Sequence, residues 1–118
     1  MTRVTPPAAR RLIVDGVDVG PCAVADTYLT RLRGLLGRRG VDGGLLLTSC
    51  SSVHGAGMTF SLDVAQLDAD LVVIRTARLH PFGLVLPRRG VRHVLEAESG
   101  AFARWRLHRG SRVGVLSL

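Results

Sequence analysis

Cys50 and His54 stand four residues apart in Ser49–Gly57, a stretch rich in serine and glycine and without the periodicity of a helix or strand. A thiol and an imidazole could act as nucleophile and base, with Asp63 orienting the ring. Four residues of irregular loop fix no hydrogen bond between them, however, and no Gly-x-Ser-x-Gly elbow accompanies them. The same two side chains could be metal ligands only with a third donor, from His80, His93 or Asp63. Nothing spaces those residues as a zinc site does, so no metal is expected. His54 lies beside flexible glycine backbone, where loops place binding groups; its plainer use is to hydrogen-bond a loop carbonyl and hold the turn.

Three carboxylates complete the set of chemistry-bearing residues. Asp63 stands between Leu62 and Val64, although aspartate is disfavoured inside strands. It either begins the strand and caps the preceding loop, or is partly buried against an arginine. Glu96 and Glu98 are the only glutamates, and on a strand they lie on one face about 7 Å apart. Such a spacing occurs in glycosidases, but two neighbours on one strand cannot flank a bond from opposite sides. A solvated face with arginine partners is expected instead. Gly34-Leu35-Leu36-Gly37 lacks the lysine-serine end of a phosphate loop.

These residues need a scaffold, and its punctuation is readable. Residues 1–9 read as a flexible lead-in, with Pro6-Pro7 blocking regular structure. Arg11–Val14 and Val17–Val19 flank Asp15-Gly16, a two-residue hairpin signal. Asp26 suits a helix N-cap, and Leu29, Leu32, Leu35 and Leu36 follow at helical spacing, with Gly37 or Gly40 ending the helix. Leu45–Thr48 reads as a buried strand. Leu62–Leu67 and Leu71–Leu79 form a second hairpin about Asp68-Ala69-Asp70, followed by a loop from His80 to Gly90. His93–Glu98 is a strand, Gly100–Arg106 a helical turn or two with Trp105 as a core anchor, and Arg112–Ser117 a last strand. The expected fold is mainly β, of the α+β type. It would be a small mixed sheet or partly closed barrel of six to seven short strands with one or two short helices, in a single domain over residues 10–118.

Four stretches in this order resemble the bacterial and archaeal family called domain of unknown function 192. They are residues 30–38 (Thr30 to Arg38), Cys50-Ser51-Ser52-Val53-His54, Gly57-Met58-Thr59-Phe60-Ser61-Leu62-Asp63-Val64, and His93-Val94-Leu95-Glu96. Gly100 and Gly110 also fit, and the resemblance covers about residues 20–116. It implies a mainly β fold and no established activity. Many relatives carry an export signal. This chain departs from the pattern at Ser61, where proline is common, and at Gln66, where an aromatic is common. Gln66 shares a strand face with Leu62 and Val64, so it marks a modified pocket or a solvent-facing edge.

Composition narrows the functional classes. The 118 residues are 47% hydrophobic, which argues against disorder, and no apolar run approaches the roughly 20 residues needed to cross a bilayer. The first residues lack the apolar core of a secretory signal, so a cytoplasmic location is expected, with Cys22 and Cys50 reduced. The net charge is +7, and all 16 basic residues are arginine. Lysine and asparagine, both absent, use A- and T-rich codons, so a GC-rich genome explains part of the skew. The arginines are scattered in pairs and only five aromatics accompany them, which disfavours nucleic acid as the partner. The reading that results is a non-catalytic domain binding a small molecule or a protein, with no cofactor. Cys50, His54, Met58, Phe60, Asp63 and Glu96 are its candidate contacts. The alternatives are a small hydrolase using Cys50 and His54, and arginine-mediated nucleic-acid binding.

Overall fold

The computed structural model describes residues 10–25, 43–56 and 58–117. The expected lead-in over residues 1–9 and the helix expected after Asp26 lie outside the described residues. Asp15 and Gly16 both adopt left-handed backbone (φ 49° and 83°), the geometry of the favoured hairpin turn. They join β1 (Arg10–Val14) to β2 (Val17–Ala25). The second arm is therefore nine residues long, where the sequence indicated three. Gly20-Pro21 concealed it: a register shift between Leu12 and Ile13 lets Pro21 sit opposite Arg11 without ending the strand.

The other strands are β3 (Gly44–Leu47), β4 (Val53–His54), β5 (Leu62–Leu67), β6 (Val73–Leu79), β7 (Leu84–Val85), β8 (His93–Glu98) and β9 (Val113–Ser117); among the described residues one short helix, α1, spans Ala101–Trp105. Seven strands form one sheet in the order β6-β5-β8-β3-β2-β1-β9. Only β2 and β3 run parallel, so the sheet is mixed. It is not closed into a barrel. Its two edges meet at one corner, where Val72 bridges Arg112 and the Val73 N–H donates to the Ser111 carbonyl at 2.9 Å.

Strand alternation divides the apolar side chains between the two faces. Leu12, Val14, Leu46, Leu67 and Leu95 pack on the first face with Phe102 of α1. Leu45, Leu47, Leu62, Val64 and Val94 pack on the second. That second layer is covered by a separate two-stranded sheet of β4 and β7, together with Met58. Both short strands fall in segments that the sequence presents as loops, because two residues are too few to show a period.

The corner is held by the β1–β2 turn. The Ser111 hydroxyl and the Arg112 N–H each donate to the Asp15 carboxylate at 2.8 Å. The backbone bond from Arg112, then the hydroxyl bond from Ser111, holds the Asp15 carboxyl below the ordinary carboxylate range. Arg11 does the same to Asp18 on the neighbouring strand. A carboxylate with a depressed folded pKa contributes stability above its unfolded value and loses it as pH falls through the folded one. Urea-unfolding free energy is therefore expected to decline below about pH 4. Asp15→Asn should flatten that decline; an unchanged slope would contradict this role for the turn.

Candidate functional site

β5 is buried along its whole length, and Gln66 is only 1% exposed. A solvent-facing edge is thereby excluded for this residue. Its Nε2 donates to the carbonyls of Ser51 (2.9 Å) and Leu86 (2.8 Å). Two carbonyl oxygens on one side require the NH₂ group there, so the orientation of the amide is determined. One side chain thus ties the segment after β3 to the segment after β7, across the second core. The opposite end of the amide is not satisfied: Gln66 Oε1 is buried and has no hydrogen-bond partner. A buried acceptor left this way costs about 1–3 kcal/mol unless water or a ligand completes it.

The cover is stitched at Gly55. Its N–H donates to the Gly83 carbonyl at 2.9 Å, and its carbonyl accepts from Phe82 (2.8 Å) and Met58 (3.0 Å). A Cβ at position 55 would lie 2.2 Å from the His80 carbonyl oxygen, so only glycine permits this approach. Met58 is buried, and Phe60 and Cys50 pack against the second core. His54 is exposed, and its Nδ1 accepts the Ala56 N–H at 3.3 Å. The ring serves its own turn.

Beside the Gln66 anchor lies a cleft of about 420 Å³, lined by Ser49, Cys50, Ser51, Ala69, Val91, Arg92 and His93. Ser49 has left-handed backbone (φ 55°), and its N–H donates to His93 Nδ1 at 3.1 Å. Nε2 of that ring is therefore the nitrogen left to meet other partners. The Cys50 N–H donates to the Arg92 carbonyl at 3.0 Å, and the Cys50 thiol donates to the Ser52 carbonyl at 3.1 Å. An exposed guanidinium, an imidazole, two serines and a thiol make a polar wall suited to a small anionic or hydrogen-bonding ligand. Arg92 was missed as a site residue, and His93 entered the sequence reading only as a possible third metal donor. Arg92 stands immediately before β8, whereas His93 opens both that strand and a family stretch.

Two expectations need correction. Asp63 does not share a pocket with His54. Asp63 faces the first core, and its Oδ2 accepts the N–H groups of Gly100 (3.0 Å) and Phe102 (3.1 Å) at the start of α1. The half-exposed Arg78 stands 3.8 Å from its other oxygen. Strand parity is the reason: Leu62, Val64 and Gln66 face the cover, so Asp63 must face the opposite layer. Nor is Glu96 on a solvated face. It is fully buried, opposite Leu45 and Val64 in register, whereas Glu98 at the strand end pairs with Arg104 as expected. Among the described residues, no three of His, Cys, Asp and Glu gather as metal ligands would. Both cysteines are thiols rather than a disulfide, and burial pushes the Cys22 thiol up to about 11.

Asp63→Ala should destabilise the fold by about 1–3 kcal/mol through loss of two buried acceptor contacts. The single Trp105, on α1 and 5.8 Å from the Phe102 ring, reports this by fluorescence during urea unfolding. A variant as stable as the parent would show that Asp63 does not hold the helix. Gly55→Ala should cost about 1–3 kcal/mol by displacing the 80–83 turn. A neutral result in the same unfolding assay would argue against the tight approach there.

The fold has known relatives. A structure of a putative transcription regulator from Sinorhizobium meliloti aligns with a TM-score of 0.70 and 20% identity, covering 97% of this chain and 98% of that one. A protein of unknown function from Novosphingobium aromaticivorans aligns at 0.66 and 20% identity, covering 90% and 83%. At such identity the likeness concerns the fold. A UPF0127 protein of Thermococcus sibiricus is 30% identical over 90 residues, which is 71% of this chain and 58% of that relative. The chain thus spans less than two thirds of that relative's length. The family model described as Uncharacterized ACR matches residues 13–115, which extends the likeness seen in the sequence back into the first hairpin. On that match the chain belongs to the DUF192 family.

Proposed function

We propose that this chain is a non-catalytic domain that binds a small polar ligand in the cleft between Ser49–Ser51 and Val91–His93. The observation that carries the reading is a polar wall held in place from two segments: the buried Gln66 amide anchors Ser51, and Ser49 and Cys50 are bonded to His93 and Arg92. Arg92 supplies the positive charge at the rim, and His93 Nε2 and the serine hydroxyls supply direction.

Binding is favoured over hydrolysis by the contacts of the candidate nucleophile and base. The Cys50 thiol donates to the Ser52 carbonyl of its own loop. His54 is turned outward and occupied by its own loop. A cytoplasmic location belongs to the same proposal.

The test is thermal unfolding of the full chain with a panel of small carboxylates, amino acids and nucleotides. At least one class should raise Tm by about 4 °C or more at ten times its Kd. Arg92→Ala should abolish that shift while leaving the unliganded Tm close to the parent's, since the side chain is exposed. If no compound shifts Tm, or the shift survives in Arg92→Ala, the cleft is not the site.

A further inference from the structure

A second cleft, of about 300 Å³, opens along the outer edge of β6 and shares no residue with the first. It is lined by Ile74, Arg75, Thr76, Arg88 and Arg109. The three arginines come from three separate segments: β6, the loop after β7, and the turn before β9. All three are exposed, and none forms an ion pair with a described carboxylate. The described acidic residues near other arginines are committed elsewhere, Asp18 to Arg11, Asp63 to α1, and Glu98 to Arg104.

Charge on an edge strand has an ordinary use, which is to discourage pairing with another chain. That accounts for Arg75, because β6 is the first strand of the sheet. It does not account for Arg88 and Arg109, which reach the same cleft from loops. Converging three like charges raises the energy of the folded chain, and a bound anion removes the penalty. The guanidinium fork matches two oxygens of one phosphate group, and the Thr76 hydroxyl adds a donor. Among the described residues no aromatic lines the cleft to stack a base, and its volume is at the lower end for a small-molecule site.

The geometry points to a binding site for a small phosphate-bearing anion of the pyrophosphate class, held by Arg75, Arg88 and Arg109. Titration calorimetry of the full chain with inorganic pyrophosphate tests it, at about 50 mM and 150 mM salt. Saturable binding is expected at low salt, weakened at least tenfold in Arg75→Gln/Arg109→Gln. A control, Arg106→Gln/Arg112→Gln, removes the same charge from exposed positions outside the cleft and should bind within twofold of the parent. Circular dichroism confirms that both variants are folded. Absence of binding at low salt overturns the proposal. An equal loss in the control overturns it as well, since the attraction would then be diffuse charge. A short single-stranded DNA that binds more tightly than pyrophosphate through the same arginines would replace it with nucleic-acid backbone recognition. None of these results depends on the Arg92 cleft, so the two readings fail separately.

Discussion

β5 has no face exposed to water, so each of its two polar side chains has to be satisfied inside the protein. Asp63 and Gln66 differ in parity, so they enter opposite layers. Asp63 accepts the first N–H groups of α1 and so positions the helix that closes the first core. Gln66 donates to two carbonyls and so draws two long connections over the second. The layout of the molecule around the central strand follows from these two attachments. The hydrophobic layers supply most of the stabilisation, but apolar packing alone is indifferent to which loop lies over which strand.

The cover over the second core is made of elements too short to be stable alone. β4 and β7 have two residues each, and their pairing survives only because Val53, Val85 and Met58 bury their side chains in the layer beneath. Gly55 brings the chain so close to the 80–83 turn that the backbone bonds there replace a longer ladder. With the cover fastened at Gly55 and Gln66, Ser49–Ser51 is held against Val91–His93 and a cleft remains between them. The surplus of positive charge is distributed unevenly. Arginines with carboxylate partners lie along β1, β6 and α1, whereas Arg75, Arg88 and Arg109 meet at a cleft without a described counter-charge.

Much of the frame was legible in the sequence because local chemistry dictated it. Asp15-Gly16 and Asp68-Ala69-Asp70 are turns by composition, and both are turns in the structure. In the second, the Asp68 carboxylate accepts from Asp70 and Val72, as aspartate does at such positions. His93–Glu98 and Leu62–Leu67 have the boundaries read from their apolar patterns. The site was less legible. Cys50, Met58 and Phe60 do gather on one layer, yet His54 turns outward and Asp63 goes to the other side of the sheet. The family stretch that joins them is contiguous in sequence, and contiguity says nothing about parity once a strand begins between them.

The sequence by itself determined most strands of the main sheet and their turns, because these rest on contacts within a few residues of the chain; the family and the oddity of Gln66 came from the resemblance of whole stretches. The tertiary structure decided which layer each polar residue enters and which distant segments share a wall. Glu96 illustrates the division: its strand was plain from the pattern, but its burial depends on β3 and β5 flanking it on either side. Arg92 and His93 facing Ser49, and three arginines meeting at one edge, are likewise products of strand order. Strand order is set by the packing of both layers at once, and no short window of residues records it.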